Sequence, residues 1–114
     1  MNPRKEIEFP WGETIIRSRP TMARVAEIER KFGAAPVLAR RCANQELSIS
    51  AEQLPMLAVM LRGCDEAPRT DAKVIEAAFD AGAANFINPM VFWLIAAYTV
   101  DTPVDQSEDP PAGN

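Results

Sequence analysis

The sequence predicts an α+β domain in which an N-terminal β-hairpin packs on a compact bundle of about five short helices. Three observations predict it. Two short runs of β-forming residues flank a Pro-Trp-Gly-Glu turn near the N-terminus. Apolar residues then recur at three- and four-residue spacing between capping residues and glycines. Finally, residues 89–100 form an almost unbroken apolar segment. With 114 residues, 47% of them apolar and 25% charged, the chain is long enough for one modest core and too short for two. A single domain over residues 1–100 is expected.

The hairpin is expected over residues 6–17. Residues 6–9 and 14–17 carry the β-formers, and Pro10-Trp11-Gly12-Glu13 supplies a tight turn. A lone hairpin is marginal in water, so Ile7, Phe9, Ile15 and Trp11 are expected to lie on the helices. Arg19-Pro20 ends the second strand, and Thr21 can cap a helix over residues 21–32 that stops at Gly33. Met22, Val25, Ile28 and Phe32 follow the helical stripe, which only Glu29 interrupts. The other face, with Arg24, Glu27, Arg30 and Lys31, reads as solvated.

Pro36 opens a second helix over residues 36–43, apolar at Val37, Leu38 and Cys42 and basic at Arg40 and Arg41. Leu47-Ser48-Ile49 reads as an extended connector. Ser50 and Gln53 stand in a capping-box relation at the start of a third helix, residues 51–62, with Leu54, Leu57, Ala58 and Leu61 on one face. Pro55 falls in its first turn, where it lacks an amide donor and crowds the preceding turn. Gly63 and the polar residues 65–69 break the chain. Thr70 or Asp71 then caps a fourth helix over 71–82, carrying Val74, Ile75, Ala78 and Phe79.

The fifth helix is expected over 89–100, with Asn88 as cap and Pro89 at the first helical position. A membrane span needs about 20 apolar residues, so this helix is too short to be one. At about 100° per residue, Val91, Leu94, Ile95 and Tyr98 share one face, and Phe92, Trp93, Ala96 and Ala97 the other. The first face is expected to meet the core. Residues 101–114 hold three prolines, four acidic groups and little to bury, the composition of a disordered tail.

Composition excludes several functions. There is no histidine, and Cys42 and Cys64 stand apart from each other and from any ligand cluster, so free thiols and no metal site are expected. The five glycines are scattered, and Gly33, Gly63 and Gly82 follow helices rather than precede them, which is not the pattern of a phosphate-binding loop. Ser48 and Ser50 lack a base, and Glu27 and Glu29 point in different directions on one helix. Nothing marks a catalytic pair, so no enzyme and no cofactor are expected. Residues 1–8 are polar and charged rather than a charged-then-apolar leader, and a cytosolic location is expected.

Charge is unevenly spread. Residues 1–45 carry nine basic and five acidic groups, residues 46–100 three and seven, and residues 101–114 none and four. This describes either a solvated surface or a charge-matched protein contact. Seven basic residues lie between Arg17 and Arg41, but the pI is about 4.8 and the last two helices hold one lysine and no arginine. A nucleic-acid reader would be more basic, and none is expected.

The hairpin, the capped helix Thr-Met-Ala-Arg-Val-Ala-Glu-Ile-Glu-Arg-Lys-Phe-Gly at 21–33, the Leu-Ser-Ile-Ser connector at 47–50 and the Thr70-capped helix ending at Gly82 occur in a suggestive order. Between the last two lies an apolar helix ending Leu61-Arg62-Gly63. Over residues 6–99 this order resembles the gene transfer agent family of phage tail-assembly chaperone-like proteins. The resemblance implies a non-enzymatic protein that binds tape-measure protein, tail-tube protein or both during tail assembly and is absent from the finished particle. Candidate interface residues are then Phe92, Trp93, Trp11, Arg40 and Arg41. Phe92 and Trp93 are core instead if their helix is wrapped on all sides, and Trp11 divides between hairpin packing and exposed contact. The alternative is a cytosolic, self-associating adaptor or regulatory module unrelated to phage.

Overall fold

Gly12, at φ 61°, reverses the chain between β1 (Ile7–Trp11) and β2 (Thr14–Ser18) in the computed structural model, which describes residues 4–99. The tail expected at 101–114 lies outside the described residues. Only the first of the two turn residues has positive φ, the pattern of a type II′ turn with glycine in its preferred place. The turn is therefore tighter than the four residues expected, and Pro10 and Trp11 belong to β1. The register pairs Phe9 with Ile16 and Ile7 with Ser18, and these four side chains form the buried face. Ile15, expected inward, pairs with Pro10 on the outward face, because neighbouring strand residues point to opposite sides.

Pro10 sits where a strand tolerates proline. The pair closing a two-residue turn, Trp11–Thr14, is the hydrogen-bonded kind, so Glu8 and Pro10 turn their main-chain groups away from β2. The missing donor thus falls on the sheet's outer edge.

Helix α1 (Met22–Phe32) starts as expected, with Thr21 Oγ1 accepting the Arg24 amide at 3.3 Å, and stops at Gly33. Ile28 is buried and Val25 and Phe32 are partly so, while Met22 remains 84% exposed. Glu29 interrupts the stripe for a reason. Its carboxylate accepts the Ala35 amide at 2.8 Å, capping α2 (Ala35–Ala43) in place of Ala34, which has no side-chain acceptor. The reputedly solvated face is in part a tie. Arg24 donates to the Arg62 carbonyl at 2.6 Å, and Glu27 pairs with Arg62 at 2.7 Å and Lys31 at 2.8 Å. Arg62 also holds Asp71 at 2.7 Å, so α1, the loop after α3 and the start of α4 are fastened together.

Helix α3 (Leu54–Leu61) departs most from expectation. Met56, Val59 and Met60 are as deeply buried as Leu54, Leu57, Ala58 and Leu61, so α3 is the central helix, covered by α1, α4 and β2. A π-helical turn, Ile49–Gln53, leads into it rather than a cap at Ser50. The Glu52 carboxylate accepts the Ser48 amide at 2.8 Å, and the Gln53 amide reaches the Ser48 carbonyl at 2.8 Å. The wider register spreads the turn that Pro55 would otherwise crowd.

Helix α4 (Asp71–Ala81) begins with Thr70 Oγ1 accepting the Lys73 amide at 3.2 Å, and ends at Gly82 with φ 105°. It buries Val74 and Ala78 but leaves Phe79 exposed. A 3₁₀ turn, Ala83–Phe86, runs directly into α5 (Ile87–Tyr98). That turn moves the helix start two residues ahead of the expected Pro89, so Asn88 lies inside α5 and caps nothing. α5 packs chiefly along α2, and the Cys42 thiol near the end of α2 lies 3.9 Å from the Ile87 carbonyl at the start of α5. The two helices run antiparallel. Together, the two-stranded antiparallel hairpin and five helices make an α+β arrangement.

A groove between the sheet edge and the last helix

Trp93 fixes the orientation of α5. Its ring is fully buried, and its indole N–H donates to Ser18 Oγ at 2.9 Å. The hydroxyl in turn donates to the Met60 carbonyl at 2.6 Å. A buried indole needs an acceptor, and the only turn of α5 that satisfies it points Met90, Trp93, Leu94 and Ala97 inward. Leu94 is therefore inward as expected, whereas Ile95 and Tyr98, placed in the core from periodicity alone, are exposed. Trp93, a candidate interface residue, is core and offers no surface to a partner.

Phe92 lies on the other side, 57% exposed. With Pro89, Ile95, Ala96 and Thr99 it forms one wall of a groove of about 700 Å³. The opposite wall is the segment leading through β1, from Lys5 and Glu6 through Ile7 and Glu8 to Pro10. The groove therefore combines a helix face with the open edge of a two-stranded sheet. Its rim is charged. Glu8 pairs with Arg17 at 3.3 Å and Glu6 with Arg19 at 4.0 Å, while Arg19 donates to the Arg4 carbonyl at 2.7 Å. Arg4 reaches the Ala97 carbonyl at 3.4 Å, placing a cation at the C-terminal end of α5, where the helix dipole favours it.

The remaining candidates lie elsewhere. Trp11, at the far end of β1, is partly buried with its ring centroid 5.6 Å from that of Phe86. It borders a second depression of about 720 Å³ shared with Ala77, Asp80 and Asn85. Arg41 is committed to the fold. It holds Glu52 through two bonds of 3.1 and 3.2 Å and the Glu46 carbonyl at 3.3 Å, stapling the end of α2 to the π-helical turn. Arg40 is exposed on α2. The structure thus separates Phe92, Trp11 and the Arg40–Arg41 pair rather than gathering them. Ile95 and Glu8 were not foreseen as site residues, although Pro10 inside a strand marks a free edge and Pro89, Phe92, Ala96 and Thr99 fall at helical spacing.

Ionisation supports structural roles for the charged groups. Hydrogen bonds from Arg62 and then Lys31 hold the Glu27 carboxyl down at about 2, and the Arg62 guanidinium is correspondingly stabilised in its charged form, first by Asp71 and then by Glu27. The Ser48 amide and then Arg41 lower the Glu52 carboxyl. Burial pushes the Cys42 thiol up to about 11. Among the described residues no three Cys, Asp or Glu side chains gather as a metal site. No single helix among them is long and apolar enough to cross a membrane. α4 and the run from Ala83 to Tyr98 reach that length only together, with a 111° bend between them.

Comparisons with protein-family models, curated proteins and solved structures return no match to the chain. The class that the coordinates define is a small α+β domain with an apolar groove at its sheet edge.

Proposed function

We propose that the chain is a non-enzymatic, cytosolic protein-binding factor of the kind its sequence resembles, a tail-assembly chaperone that binds tape-measure or tail-tube protein during assembly. The observation that supports this reading is Phe92, a large aromatic side chain left 57% exposed beside the open edge of β1. Apolar surface rimmed by charge is characteristic of sites that bind other proteins. Soluble expression of a tape-measure fragment with this chain, followed by co-purification, tests the reading. The fragment is expected to stay soluble with the native chain and to be lost with Phe92→Asp. Failure of the native chain to retain either a tape-measure or a tail-tube fragment overturns the reading.

A second observation favours self-association. Trp11, set over the buried Phe86, borders a second depression that Ala77 and Ala81 of α4 also line. A chain with two such regions can contact a second copy through one and a client through the other. Light scattering of the isolated chain distinguishes a monomer from an oligomer.

A further inference from the structure

We propose that a small cavity between the end of α2 and the start of α5 binds a small uncharged molecule, apolar in body, whose one O–H or N–H group donates to Gln53 Oε1. The cavity, of about 190 Å³, lies where α2, the π-helical turn and the 3₁₀ turn meet. It shares no lining residue with the groove at Phe92, so it stands apart from the client reading. Gln53 sets the polar requirement. It lines the cavity and is only 6% exposed. Its Nε2 donates to the Ala83 carbonyl at 2.8 Å and lies 4.0 Å from Met90 Sδ. These acceptors fix which end of the amide is nitrogen, and the other end can only accept. Among the described residues the bonds of this amide all run through Nε2, and none reaches Oε1. A buried amide oxygen without a donor is costly, and the cavity beside it is the space from which a donor can come.

The rest of the wall sets the body of the ligand. Leu47, Ile49, Ala84 and Ile87 are apolar, so waters filling the space would lack the roughly two to four polar partners each needs. The Cys42 thiol, pushed up to about 11 by burial, stays protonated and adds no charge. No Asp, Glu, Lys or Arg is among the residues lining the cavity, and an ionic ligand would lose its hydration with no counter-charge in return. One fixed polar group in an apolar wall is the usual make-up of a small-molecule site. The volume falls below the ~300 Å³ at which pockets for drug-sized ligands begin, which limits the ligand to the size of a short branched alcohol. Exposed Gln45, Ile49 and Ala84 stand at the mouth and leave a way in.

Nuclear magnetic resonance on the full chain tests the site, with isobutanol as the probe. Its isomer diethyl ether, which accepts hydrogen bonds but cannot donate them, is the control. Isobutanol is expected to give saturable shifts at the Gln53 side-chain amide and at the Ala84 and Ile87 main-chain amides. Its dissociation constant should lie about fivefold below that of the ether, the ratio that one net hydrogen bond gives. Gln53→Met keeps the length of the side chain and removes the acceptor, and should bring the two probes to equal affinity. Ala84→Phe, at an exposed position on the mouth, should abolish the Gln53 shifts in a chain whose other resonances are unmoved, and it carries the test if Gln53→Met does not fold. The proposal is overturned if isobutanol shifts fail to saturate or spread equally to exposed Phe92 and Tyr98, the result of solvent-like binding only. It is overturned equally if the native chain binds both probes alike, if folded Gln53→Met keeps the preference, or if Ala84→Phe binds isobutanol as the native chain does.

Discussion

Trp93 and Ser18, 75 positions apart in sequence, are joined by a buried hydrogen bond of 2.9 Å, and the same hydroxyl reaches Met60. Hairpin, central helix and last helix thus meet at one oxygen atom. Ser18→Ala leaves the indole N–H and the Met60 carbonyl without this partner, and burial keeps water from replacing it. A loss of about 1–3 kcal/mol in urea denaturation is expected. Trp93→Phe should cost a similar amount, and the double variant less than the two single losses combined. Strict additivity would show that the bond contributes nothing specific.

Phe92 and Trp93 are adjacent in sequence and opposite in role. Phe92→Asp should change unfolding free energy by about 0.5 kcal/mol or less, as exposed positions do, while weakening client binding about tenfold or more. Trp93→Ala should destabilise by about 3–5 kcal/mol. Thermal melts beside the co-purification assay separate the two effects.

Glu29 caps a helix to which it does not belong. Glu29→Ala should cost about 1 kcal/mol, because it frees the Ala35 amide at the start of α2, and Glu29→Gln, which keeps an acceptor, should cost less. Equal losses would remove the capping role.

Glu27 gives stability a specific acid dependence. Its folded-state carboxyl titrates at about 2, against an ordinary value of 4.5, so the unfolded chain binds the proton first as pH falls. Its contribution is fully present above about 4.5 and is lost progressively as pH drops toward 2. Glu27→Gln should therefore lower stability at pH 7 and flatten the decline between those values. An unchanged slope in pH-dependent denaturation would remove Glu27 as its source.

The two thiols should differ in reactivity. Cys42 is buried and its pKa is raised to about 11, whereas Cys64 is partly exposed with its sulfur 3.6 Å from the Arg24 guanidinium. A thiol reagent at pH 8 should modify Cys64 in the folded chain and Cys42 only on unfolding. Simultaneous modification of both would contradict the burial of Cys42.

The parts of this fold that were legible in the sequence are those set by neighbours along the chain. Thr21 and Thr70 cap the helices they precede, Gly12 makes the hairpin turn, and Gly33 and Gly82 end their helices. What was illegible depends on partners far away. Helical spacing places Ile95 and Tyr98 beside Leu94, but the Ser18 acceptor rotates Trp93 inward and turns those two out. Leu54–Leu61 looks one-sided until α1, α4 and β2 close over it from several directions. Glu29 looks like a flaw in a stripe because its partner belongs to the next helix. The groove was half legible. Phe92 stood out by its size, whereas its facing wall required knowing that β1, through Pro10, presents an unpaired edge.

Pro10 has a consequence for the chain at high concentration. A third strand growing along that edge would find no amide donor at Pro10, beside the turn, and the alternate positions beyond it carry the charged Glu8 and Glu6. Pairing of hairpins along this edge into a continuous, fibre-like ladder is thereby disfavoured from the first strand that would add to it. Crowded copies can touch through side chains without locking their backbones together, so contacts made by this surface stay reversible.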